Sequence, residues 1–76
     1  MVVKKVEAEL ETITGVVEDI TFQNDTNGFT VLDFSTDDEL FTAVGVMPGI
    51  TAGETVSLTG SFIIHPTFGR QLKVTA

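Results

Sequence analysis

The chain has 76 residues, enough for one small domain, and a domain of that size buries only about 60% of the surface its unfolded form exposes. Four Lys plus Arg stand against eleven Asp plus Glu, a net charge of −7, which opposes autonomous binding to a polyanion and suits a basic protein partner. The absence of Cys excludes disulfides and thiolate metal sites. No apolar run approaches the ~18 residues of a membrane span and no signal peptide is visible, so a cytoplasmic protein with no membrane partner is expected.

Residues 1–9 carry Val3 and Val6 in near-helical spacing with Leu10. So short a helix is marginal alone, and the reading is a loosely held tail that joins the first strand near Leu10. Thr12 to Asn24 is rich in β-branched residues and reads as a strand. Ile13 lies on odd parity, whereas Val16, Ile20 and Phe22 lie on even parity. That slip brackets Gly15 and predicts a glycine bulge there. A long first strand, bent to pair on both sides, is what a small closed barrel requires.

Asn24-Asp25-Thr26-Asn27-Gly28 is the strongest turn signal, and Asn27-Gly28 predicts a type I′ hairpin turn. Phe29 to Ser35 forms the second strand, Ser35 to Glu39 a polar turn, and Leu40 to Val46 the third strand. Both parities of these strands carry apolar residues, Phe29 and Val31 against Leu32 and Phe34, then Phe41 and Ala43 against Leu40 and Val44. Their outer face is therefore either covered or a binding surface. Val46 to Gly53 is too short for a real helix with its connections and reads as a turn, with one helical turn over residues 48–52. Gly53 to Val74 then gives a second hairpin. Val56, Leu58, Phe62 and Ile64 point inward on its first strand and Leu72 and Val74 on its second, with Gln71, Lys73 and Thr75 outward. His65-Pro66-Thr67-Phe68-Gly69 is the turn between them.

Five short strands with a connector after the third predict an all-β fold, a five-stranded Greek-key barrel of the OB type, with an SH3-like barrel as the alternative. The domain spans residues 10–76.

The residues from Ile13 onward also carry a resemblance. ITGVVEDITFQNDTNGFTVLDF, followed by GVMPGITAGETVSLTGSFIIHPTFGRQLKV, resembles the N-terminal OB-type domain of RecD-like ATP-dependent DNA helicases (exodeoxyribonuclease V alpha-subunit relatives, the RecD/TraA family). Gly15, Val17, Ile20 and Phe22 match the family's opening, Asn27 to Leu32 its hairpin, and His65, Pro66, Gly69, Gln71, Lys73 and Val74 its close. The resemblance covers residues 13–75. It implies an accessory domain cut from a larger helicase that acts in DNA unwinding, recombination and repair, and that assists single-stranded DNA handling. The alternative is a module that docks on the motor domains or a partner protein without touching DNA. The implied partners are the rest of the helicase chain, single-stranded DNA, or another protein. The motor would hold ATP and Mg²⁺, and the fragment no cofactor, since it contains no G-x-x-x-x-G-K-[ST].

No catalytic residue is expected in the fragment. His65 has no nucleophile or metal-ligand companion in the sequence and reads as a hydrogen-bonded turn residue. Asp37-Asp38-Glu39 reads as a solvated hairpin tip rather than an ion site. Glu18 and Asp19 are adjacent on a strand, so they point to opposite faces and make no acid–base pair. Phe41, Phe68, Arg70 and Lys73 resemble a single-strand platform, in which aromatics stack bases and cations meet phosphates. With His65 they are the candidate nucleic-acid or partner contacts.

Overall fold

The protein is described here by a computed structural model covering residues 10–67 and 69–75. The expected tail, residues 1–9, lies outside these residues, and so does Phe68. Five strands follow one another: β1 (Glu11–Gln23), β2 (Phe29–Ser35), β3 (Leu40–Val46), β4 (Thr55–His65) and β5 (Gly69–Val74). They close into a barrel in the order β1-β2-β3-β5-β4. All neighbours are antiparallel except β3 and β5, which run parallel through Thr42–Gln71, Ala43–Leu72 and Val44–Lys73. This is the Greek-key closure of an OB-fold. No helix is long and apolar enough to cross a membrane among the described residues.

β1 is the strand that closes the barrel. Its first half, Glu11 to Val16, pairs with β4, and its second half, Val16 to Gln23, pairs with β2. The changeover needs a close approach at Gly15, where a Cβ would stand 2.2 Å from the Ser35 carbonyl oxygen and 2.9 Å from the Phe34 ring. Gly15 is therefore a contact point and not the expected bulge. The pairing with β4 runs through it without a slip. The slips fall instead at Glu18 and Thr21, each an extra residue against β2.

Those two bulges reassign the faces of β1, because one extra residue turns every following side chain over. Up to the first bulge the inward residues are Ile13 and Val17, so Val17, and not the expected Val16, is fully buried. Between the bulges Ile20 is inward, opposite Leu32. After the second, Phe22 is outward, against its expected place in the core. Gln23 takes the inward position opposite Thr30.

The core gathers Val17, Leu32, Phe34, Phe41, Ala43, Leu58, Leu72 and Val74 from all five strands, with Val56 and Phe62 packed at its margin. Met47 and Ile50 from the connector are buried with them and seal one end of the barrel. No helical turn forms in that connector, because Gly49 at φ 78° and Gly53 at φ 92° leave the helical region. It is tied down by backbone bonds instead: the Met47 amide donates to Gly28 O (2.9 Å) and the Gly53 amide to Val17 O (2.7 Å).

The β4–β5 hairpin keeps its expected alternation and pairs without a slip from Gly60–Val74 to His65–Gly69. Two of its residues depart from the expected burial. Ile64, on the inward parity, is 76% exposed because the hairpin runs on past the core. Gln71, on the outward parity, is buried, flanked by Thr42 of β3 and Ile63 of β4 on either side of its central strand.

Candidate functional site

The bulge at Thr21 builds the most distinctive surface of the domain. By turning Phe22 outward it sets that ring opposite Val31, which stands opposite Val44, which in turn neighbours Lys73. One cross-strand row thus runs Phe22, Val31, Val44, Lys73 over the outer face of β1, β2, β3 and β5. A second row pairs Phe29 with Val46. The Phe22 and Phe29 rings lie 6.3 Å apart at 56°, a tilted aromatic pair, yet Phe22 is 51% and Phe29 39% exposed. Val46 beside them is also exposed.

The β1–β2 loop fixes one edge of this surface. Its carbonyl and amide ends meet in Asn24 N–H···O Phe29 and Gly28 N–H···O Asn24, both 2.8 Å. The Asn24 side-chain oxygen accepts from the amides of Thr26 (2.8 Å) and Asn27 (3.3 Å), and the Asn27 side-chain oxygen from the amide of Phe29 (2.9 Å). Gly28 has φ 78°, as expected, but no non-glycine residue among the described ones has positive φ. The turn is therefore not type I′, which needs positive φ at Asn27 as well. It is a longer loop closed by Asn24.

Toward the other end the same outer face turns acidic. Asp19 stands directly opposite Asp33, and Glu18 in the first bulge accepts a 2.6 Å hydrogen bond from the Ser35 hydroxyl. The β2–β3 turn carries Asp37, Asp38 and Glu39, held by Thr36, whose hydroxyl accepts from the amides of Asp38 (3.3 Å) and Glu39 (3.2 Å).

Of the residues singled out from sequence, Phe41 and Arg70 meet about the Phe62 ring at one end of the barrel, whereas Lys73 lies on another face and His65 in the hairpin turn. Phe41 is 7% exposed, 5.8 Å from the Phe34 ring and 5.1 Å edge-on to Phe62; it belongs to the core and has no free face for a base. Arg70 shares the inward parity of β5 with Leu72. Its guanidinium sits 3.7 Å over the Phe62 ring and forms an ion pair with Glu39. Arg70 thus closes the barrel end opposite the connector. Lys73, three residues on, points to the opposite face of β5 and reaches solvent there. His65 ends β4 opposite Gly69, and its Nδ1 accepts from the Thr67 amide (3.0 Å), which makes it a turn-forming residue. Phe68 lies outside the described residues.

Sequence reasoning missed Phe22 and Phe29 as surface aromatics. The apolar character of both parities of β2 and β3 was the available signal, and it pointed at this face. Nothing in the residues around Thr21 announces the bulge that brings Phe22 to join it.

Strand order, closure and the parallel β3–β5 seam define an OB-fold barrel whose outer β1–β2–β3 face is open. A family model supplies the particular kind. The chain belongs to the family described as "ATP-dependent DNA helicase YrrC, OB-fold domain", which matches residues 10–76, and is thus an accessory domain of an ATP-dependent DNA helicase family. No curated protein and no solved structure matches the chain significantly.

Proposed function

We propose that this barrel is the accessory domain of a RecD-like helicase, of the exodeoxyribonuclease V alpha-subunit type, serving DNA unwinding in recombination and repair, and that it works by docking on protein. ATP is hydrolysed, with Mg²⁺ bound, by motor domains that these 76 residues do not contain. The observation that carries the docking reading is the composition of the open face. Two exposed phenylalanines and three valines are flanked by carboxylates on a body of net charge −7, with Lys73 the one described cation on their row. Phosphates need cations, and Arg70 is already engaged by Glu39 and Phe62.

A second reading, single-stranded DNA handling, is favoured by one specific arrangement. Phe22 and Lys73 share a cross-strand row, so a base on the ring would bring its backbone toward an ammonium. Fluorescence anisotropy with a labelled single-stranded oligonucleotide separates the two. Docking without DNA contact gives a dissociation constant of about 100 μM or weaker at physiological salt, with a salt slope no steeper than about −0.7, the value for one phosphate. Micromolar binding that is lost in both Phe22→Ala and Lys73→Ala would replace docking by strand handling.

A further inference from the structure

We infer that the outer face of β1–β2–β3 is the docking surface itself, and that its occupant is a protein surface presenting apolar side chains beside a cluster of Lys and Arg. This rests on the docking reading and names its site and partner chemistry. The face has two halves that meet along the strands. One half holds Phe22, Phe29, Val31, Val44 and Val46, joined by the ladder pairs Phe22–Val31, Val31–Val44 and Phe29–Val46. The other half holds Asp19, Asp33 and Glu18 on the neighbouring rungs of the same strands.

The Asp19–Asp33 pair carries the argument for charge. Like charges placed directly opposite on adjacent strands repel and weaken a sheet. The sole ion pair among the described residues, Arg70–Glu39, borders the same hollow as Asp33 but takes in neither aspartate. A cation brought by a partner relieves that repulsion, and the apolar half beside it supplies buried area. A second copy of this chain is a poor occupant, since two bodies of net charge −7 would bring carboxylate against carboxylate. A helicase motor is a good one, because any protein that tracks DNA must carry basic surface.

The chain's exposed positions allow a direct test in the intact helicase. A photo-reactive phenylalanine analogue is placed singly at Phe22, at Phe29 and, on the far hairpin, at Ile64. It is irradiated with and without a bound single-stranded oligonucleotide, and amide spectra of the isolated domain confirm that each variant keeps its fold. The expected result is protein cross-links from Phe22 and Phe29 to a segment with apolar residues and Lys or Arg, little from Ile64, and a yield about threefold lower in Asp19→Asn/Asp33→Asn. Protein cross-links from Ile64 alone would overturn the assigned face and leave docking standing. Cross-links from Phe22 to the oligonucleotide would overturn both. A product joining Phe22 or Phe29 to residues 1–9 of the same chain, or to a second copy, would overturn the assigned occupant, and a yield indifferent to the two Asp→Asn changes would overturn its charge.

Discussion

The two hairpins of this barrel depart from their sequence patterns for different reasons. Between β1 and β2 the parity itself changes. Extra residues at Glu18 and Thr21 turn the strand over twice, so Val17 enters the core, Ile20 follows it, and Phe22 leaves. Between β4 and β5 the parity holds without a slip as far as His65–Gly69, yet Ile64 is in water. There the hairpin has outrun the opposite wall of the barrel. Alternation reveals which residues share a face only while pairing is continuous. It reveals a dry face only where another layer stands across from it.

The largest test of this contrast lies within β4. Leu58 and Ile64 share one parity, but only Leu58 is in the core. Leu58→Ala should cost about 2–5 kcal/mol, which would leave so small a domain largely unfolded if its total stability is near 5 kcal/mol. Ile64→Ala should change stability by less than about 0.5 kcal/mol. Urea unfolding of the two variants compares them, and equal losses would mean that the hairpin tip is covered.

The β1–β2 loop gives an intermediate effect. Gly28→Ala forces a side chain into φ 78°, with its Cβ 3.2 Å from Pro48, and should lower stability by roughly 1 kcal/mol. A thermal midpoint unchanged by the substitution would remove the left-handed turn that aligns β2 with β1.

The smallest effect is expected at the residue whose face the bulge reverses. Phe22→Ser removes a half-exposed ring and its contact with Phe29 and should cost about 0.5–1 kcal/mol. An inward Phe22 would instead cost about 3–5 kcal/mol, as core phenylalanines do, and Phe34→Ser supplies that reference in the same denaturant series.

The barrel was legible because its strands are short and their turn residues strong. Asn24 to Gly28, Pro48-Gly49 and Pro66-Thr67 stand where the chain reverses or breaks. β2 and β3 have the bounds their apolar runs imply, and Leu72 and Val74 face the core as their spacing demands. What the sequence hid was register. The bulges at Glu18 and Thr21 have no glycine to mark them; Gly15, the visible glycine, is needed for a different reason, the close passage of β1 over Phe34 and Ser35. The site was hidden by the same slip. With Phe22 assigned inward, its partnership with Phe29 could not be seen, and Phe41 and Arg70 took its place as candidates although the core and Glu39 hold them.

The position of β5 has a consequence for the chain as it is made. The last strand inserts between β3 and β4, and the β1–β4 seam joins hydroxyls 47 residues apart, Thr12 and Thr59. While a ribosome still holds the last rungs of β5, both β3 and β4 present unpaired backbone edges, the arrangement most prone to pairing with a neighbouring chain. Until then the barrel stays open between β3 and β4. Closure waits on contacts between distant residues, so it belongs to the millisecond-to-second regime of non-local β topologies rather than to that of helical bundles. During that interval the dense negative charge of the chain works against aggregation, holding nascent copies apart before any barrel exists to bury their edges.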